Sequence, residues 1–226
     1  MAVFALIAEG PTDQVVLERI IDQVCGKSFP EGIETIFLQP LRDETDRVAT
    51  NFGGWELVLE YCKLDFNGAL ESSDFVVVHI DTDAGEHPNF GVALTENGED
   101  RDHADLVEDT KKLIVQSIGK VNFELVRNKV VFAISVHSIE SWVLLCLYNR
   151  DEPKGSFDRL QRQLARADEP PLVKEVRRYQ TLVRDIKAKR LNVVKQLVGS
   201  LPTFLLDLES VSARVQGEPL PEAETD

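Results

Sequence analysis

The apolar positions of this chain change period in a regular way. Residues 3–8 (VFALIA) form a short apolar run, the pattern of a buried strand. Gly10-Pro11-Thr12-Asp13 follows. Val16, Leu17, Ile20, Ile21 and Val24 then recur at helical spacing, with Thr12 as the expected N-cap. The alternation continues. A strand is predicted over 33–38 (IETIFL), then a polar loop DETDRVATNFGG and a helix near 54–64. Residues 74–80 (DFVVVHI) give the clearest strand, with a helix near 103–118 after it. A strand over 129–136 (KVVFAISV) leads to a buried helix over 138–149. The nearly continuous apolar character of 74–80 suits a parallel strand covered on both faces. Strand and helix in strict succession predict an α/β fold, a mainly parallel sheet flanked by helices. Between them, 81–104 is a long, acidic, glycine-containing connection, of a length at which loops are usually functional.

From residue 151 the strand signals stop. Helices are expected near 156–167, 172–189, 191–199 and 202–214, with Pro170-Pro171 separating the first two. The chain thus divides into an α/β domain over 1–150, a helical extension over 151–215 and an acidic, proline-containing tail over 216–226, expected to be disordered. A length of 226 residues, 43% hydrophobic and 28% charged, suits one globular domain with an addition. No apolar run is long enough to span a bilayer and no secretory signal opens the chain, so a cytoplasmic protein without membrane contact is expected. Cys25, Cys62 and Cys146 stand among apolar neighbours without a CxxC spacing, which suits core packing rather than a disulfide or zinc framework. His79, inside an apolar strand, reads as a core residue. His137 lies beside the acidic positions described below. Trp55 and Trp142 read as core or subunit-contact residues.

Charge sharpens the division. The net charge is −14, and residues 1–150 carry all of it, with 12 basic and 26 acidic side chains. Residues 151–226 balance at 13 of each, yet 174–195 hold 8 basic and 2 acidic. The bulk charge argues against nonspecific coating of nucleic acid, whereas this stretch offers phosphate contacts. Lys174, Arg177, Arg178, Arg184, Lys187, Lys189 and Arg190 are the candidates, with a solvated helix face as the alternative. Val173, Val176, Leu182, Val183 and Ile186 would pack that segment down, and Tyr179 is placed to stack on a base.

Three acidic motifs fall at the carboxyl ends of predicted strands, the edge where open α/β sheets bind ligands. They are Glu9 with Gly10 and Asp13, then Asp81-Thr82-Asp83, then Glu140 with Ser138. On extended backbone Asp81 and Asp83 point to one side. Two carboxylates so close repel unless a cation or a proton lies between them. Hard oxygen ligands suit Mg²⁺ or Mn²⁺, and Glu9 and Glu140 are placed to complete one or two such sites. Gly10 lets the turn tighten and a phosphate or metal approach the backbone.

An apolar strand ending in E-G-x-x-D (FALIAEGPTDQVVLERI) and a later strand ending in D-x-D (FVVVHIDTDAGE) resemble the TOPRIM domain of primases, topoisomerases, small ribonucleases and OLD-family nucleases. The segment VHSIESWVLL is similar to the downstream serine-and-glutamate segment of OLD-like and small stand-alone TOPRIM proteins. The resemblance covers roughly residues 1–150. It implies that Glu9 is a metal ligand and general acid/base, that Asp81 and Asp83 bind metal, and that Glu140 is a downstream acidic ligand. It also places Asp13 at a second metal, with one methylene less reach than the glutamate usual there. No tyrosine-bearing topoisomerase domain, primase zinc or polymerase region, or G-x-x-x-x-G-K-[ST] segment is present. An ATPase would therefore come from a partner chain. The expectation is a Mg²⁺- or Mn²⁺-dependent nuclease acting on DNA or RNA, similar to antiviral-defence or toxin-type effectors that often act with an ATPase partner; self-association of this chain as a homo-oligomer is a further expectation. The competing expectations are a non-catalytic interaction module of the same fold in a larger complex, and another phosphotransfer or nucleotide-binding enzyme on a similar sheet.

Overall fold

The computed structural model describes residues 1–41 and 53–215; most of the polar loop after the second strand and the acidic tail lie outside them. The sheet is built from β1 (Ala2–Ile7), β2 (Ile33–Gln39), β3 (Phe75–Asp81) and β6 (Val130–Ser135). All are parallel, in the order β2-β1-β3-β6, so the α/β fold expected from the pattern is the one observed. The chain leaves β1 for β2 on one side and returns to β3 on the other. The gap between the ends of β1 and β3 is therefore a topological switch point, where such sheets open a ligand crevice.

Side chains alternate along the strands and feed two separate cores. Phe4, Leu6, Phe75 and Val77 enter one; Ala5, Ile7, Val76, Val78 and Ile80 enter the other. Complete burial of each β3 valine contributes roughly 1.5–3 kcal/mol relative to exposure. The second core is closed by α2 (Trp55–Leu64), α3 (Phe66–Ser72), α4 (His103–Ile118) and α5 (Lys120–Val126). The first is closed by α1 (Pro11–Cys25), α6 (Glu140–Tyr148) and the extension: α7 (Ser156–Arg166), α8 (Val176–Val183), α9 (Ala188–Val194) and α10 (Ser200–Val215). Leu160, Leu164, Tyr179, Leu191, Phe204 and Leu208 share this core with β1 and α1. Trp142 stacks on Phe204 at 5.2 Å between ring centroids and donates its indole N–H to Ser200 Oγ at 2.9 Å. The three cysteines are buried and unpaired.

Several local expectations are corrected. Gly10, not Thr12, is the N-cap of α1, with Pro11 at the first helical position, where a missing N–H costs nothing. The single helix expected over 172–189 is interrupted. Glu175 and Lys187 have extended backbone, so only 176–183 is helical there and α9 begins at Ala188. The break turns Ile186 fully into the core while Val173 stays 42% exposed. Residues 81–104 are not structureless. They hold a 3-10 helix over Thr82–Glu86 and a two-stranded ribbon, β4 (Thr95–Glu96) with β5 (Glu99–Asp100), pinned by buried Phe90, Val92 and Leu94. Trp55 packs edge-on against Phe90 at 5.1 Å.

Candidate active site

The switch point gathers the acidic motifs because each follows a strand or opens a helix beside it. Glu9 lies just past β1, Asp13 in the first turn of α1, Asp81 at the last position of β3 and Asp83 in the 3-10 helix. Glu140 is the first residue of α6. Glu9 crosses the crevice: its Oε1 accepts the main-chain N–H of Asp81 at 2.7 Å. The carbonyl of Glu9 accepts the N–H of Gly54 at 2.8 Å. A β-carbon on Gly53 would lie 2.2 Å from that carbonyl oxygen, so only glycine lets this loop seat against the glutamate.

Strand register supplies further contacts. Asp81 pairs with Ser135 across β3 and β6, and the Ser135 hydroxyl donates to Asp81 Oδ1. His79, two residues back on the same face, is fully buried. Its Nε2 lies 3.1 Å from Ser135 Oγ and 3.2 Å from Asp81 Oδ1. Its Nδ1 has no hydrogen-bond partner among the described residues. The main-chain N–H of Asp83 donates to His137 O at 3.0 Å, and the N–H of His137 donates to Thr82 Oγ1 at 2.8 Å. These bonds hold His137 in the left-handed region at φ 62°, an unfavourable place for a side-chain-bearing residue. Glu140 is 2% exposed. It accepts Tyr179 Oη–H at Oε1 and Ser138 Oγ–H at Oε2, and Ser138 Oγ also lies 2.8 Å from Ser156 Oγ.

The electrostatics follow from burial without enough countercharge. Burial, and then the charge of Asp81, pushes Glu9 up to about 8 and Asp13 up to about 7. Burial holds Asp81 well above the usual carboxylate range, opposed by the Ser135 hydroxyl and raised further by Asp83 and Glu140. Asp83 is raised by burial, with the nearby ammonium of Lys174 acting against it. Burial depresses His137, and His103 and Lys154 add to the effect. Burial and the adjacent Glu140 push the Tyr179 hydroxyl up. Carboxylates that raise one another's pKa at a ligand-binding sheet edge form a site ready for protons or a cation.

The five acidic residues singled out in the sequence thus share one edge. They are not preassembled around one point: among the described residues, no three His, Cys, Asp or Glu side chains are grouped so as to hold a metal ion. Glu9 and Glu140 spend oxygens on the Asp81 main chain, Tyr179 and Ser138. The donor set itself, carboxylate oxygens with excess negative charge, fits a hard divalent cation.

The basic stretch divides. Lys174 lies close enough to lower Asp13, Asp81 and Asp83, and its Nζ sits 5.7 Å from the Phe157 ring centre. Arg177, Arg184, Lys187 and Lys189 are exposed. Arg178 instead donates to the carbonyls of Pro171 at 3.2 Å and Pro170 at 2.6 Å. Arg190 donates to the carbonyls of Cys146 at 3.0 Å and Leu145 at 2.6 Å, closing the end of α6. Both build the fold rather than a free phosphate surface. Tyr179 is fully buried and is not available to stack on a base. Ser135, Ser156 and Gly53 were not singled out in the sequence. Ser135 is findable by aligning the last residues of the two apolar strands, whereas Ser156 and Gly53 carry no local signal.

No protein-family model, curated protein or solved structure matches the chain. No helix among the described residues is long and apolar enough to cross a membrane.

Proposed function

We propose that this protein is a Mg²⁺- or Mn²⁺-dependent nuclease of TOPRIM type that hydrolyses phosphodiester bonds of DNA or RNA. One observation carries the reading. Glu9 and Asp81 meet across the switch point of a parallel sheet, with Asp13 close enough to raise Glu9 and with Asp83 and Glu140 close enough to raise Asp81. Asp81, Asp83 and Glu140 would hold the first ion, and Asp13 would contribute to a second. The bound cation supplies charge stabilisation for the attacking and leaving oxygens. Glu9, pushed up to about 8, titrates near enough to neutral pH to exchange protons with the attacking water and the leaving oxygen as a general acid/base. Lys174 offers a positive charge at the rim, and Arg177, Arg184, Lys187 and Lys189 offer exposed phosphate contacts.

The test is calorimetric titration of Mn²⁺ and Mg²⁺ into the wild type and into Asp81→Ala/Asp83→Ala, with cleavage of DNA and RNA substrates alongside. Saturable binding that disappears in the double variant, with metal-dependent cleavage by the wild type, is the expected result, and the cleaved strand names the substrate. A wild type that shows neither metal binding nor cleavage sinks the proposal. The non-catalytic module of the same fold then takes its place.

A further inference from the structure

Glu140 has an unusual setting for a carboxylate at the rim of a crevice. It is 2% exposed, and each of its oxygens receives a hydroxyl. One comes from Ser138, beside it in sequence; the other comes from Tyr179, which lies 39 residues away on α8 of the extension. The Ser138 hydroxyl is itself paired with Ser156 at 2.8 Å, and Ser156 opens α7, also in the extension. Tyr179 is fully buried, in the same core as Leu182 and Val183. Phenylalanine would fill that space equally well, so packing alone gives no reason for a hydroxyl there. The bond to Glu140 does.

We infer that the helical extension is part of the active site and that Tyr179 is a positioning residue, fixing the Glu140 carboxylate through its hydroxyl. The inference rests on the nuclease reading and deepens it. An ionised carboxylate offers about four lone-pair sites. One hydroxyl on each oxygen leaves one site per oxygen for a cation and removes the freedom of the carboxylate to rotate. Partners that orient a ligand in this way typically change metal affinity or activity about 10–100-fold when removed. Residues 1–150 therefore hold the acids and one of the two hydroxyls on Glu140, that of Ser138, but not the second, which comes from the extension.

The experiment uses the full chain with Tyr179→Phe, read by Mn²⁺ calorimetry and cleavage kinetics well below the melting transition. Mn²⁺ affinity is expected to weaken about 10–100-fold, and kcat to fall by a similar factor with KM for nucleic acid unchanged. Glu140→Gln and the double variant Tyr179→Phe/Glu140→Gln are expected to bind Mn²⁺ alike, because Tyr179 acts through the carboxylate. A purely structural tyrosine would lower the melting temperature without giving this non-additivity. Wild-type affinity and kcat in Tyr179→Phe overturn the positioning role and leave the nuclease reading standing. A wild type that neither binds Mn²⁺ nor cleaves overturns both. If Tyr179→Phe fails to fold, Ser138→Ala removes the other donor without touching the buried ring. The same losses are expected there, and unchanged Mn²⁺ binding in it overturns the clamp.

Discussion

The two faces of the sheet are both covered by helices, yet they differ in chemistry. Under α2–α5 the packing is apolar. Among the described residues of those helices the buried polar or charged side chain is Thr110, satisfied within its own helix by the Leu106 carbonyl at 2.8 Å. On the other face the buried set includes Asp13, His79, Glu140 and Ser156; Ser135 links His79 to Asp81, while Tyr179 and Ser138 donate to Glu140 and Ser138 also meets Ser156. Buried polar groups without full compensation cost stability. A fold that confines that cost to one edge of one face separates the scaffold from the site.

Two substitutions break the comparison most directly. Asp81→Asn keeps the shape of the side chain and removes a charge that burial disfavours. Metal-dependent cleavage is expected to fall to background while the metal-free melting temperature stays level or rises. Ile114→Ala on the apolar face removes a fully buried side chain and is expected to cost about 2–5 kcal/mol, with activity per folded molecule unchanged. Denaturant unfolding and cleavage assays on both variants check this. A destabilised Asp81→Asn, or an Ile114→Ala that is folded but inactive, would erase the division of labour.

A smaller effect comes from pH. Glu9 and Asp13 have folded pKa values of about 8 and about 7, above their ordinary values of 4.5 and 3.8. The folded state therefore holds more protons than the unfolded state between those limits. The stability contributed by these groups is complete below the unfolded values and is lost as pH rises through 7 and 8. In chelator, the melting temperature is expected to fall between about pH 6.5 and about pH 8, where His137, depressed by burial, is largely neutral. Glu9→Gln is expected to flatten the fall. A melting temperature that rises over this window contradicts the assignment of these carboxylates as buried and uncompensated.

The scaffold was largely legible in the sequence, and the site only in part, for a physical reason. Continuous apolar runs such as FVVVHI report burial on both faces, so each strand announces itself locally. The acids were legible because a strand end places its next residue at the ligand edge. What the chain does far from itself left no periodic trace. The bond from Tyr179 to Glu140, and the extended backbone at Glu175 and Lys187 that interrupts the helix expected over 172–189, depend on tertiary packing. Arg178 and Arg190 look like their exposed neighbours in sequence, yet each is consumed by carbonyls at the end of a segment.

That last distinction gives the smallest expected effect. Arg177, Lys187 and Lys189 are exposed, although Lys187 also donates to the Arg184 carbonyl at 2.7 Å. Replacing all three with alanine is expected to weaken nucleic-acid binding and to reduce the slope of log affinity against log salt by about 0.7–0.9 for each phosphate no longer neutralised. Arg190→Ala is expected to leave that slope unchanged and to lower the melting temperature, since its guanidinium closes α6 beneath the core. Binding isotherms at several salt concentrations, set beside thermal unfolding, separate the two. Equal slopes in the wild type and the triple variant would make the basic stretch a solvated face, and substrate binding would then fall to Lys174 and the acidic edge alone.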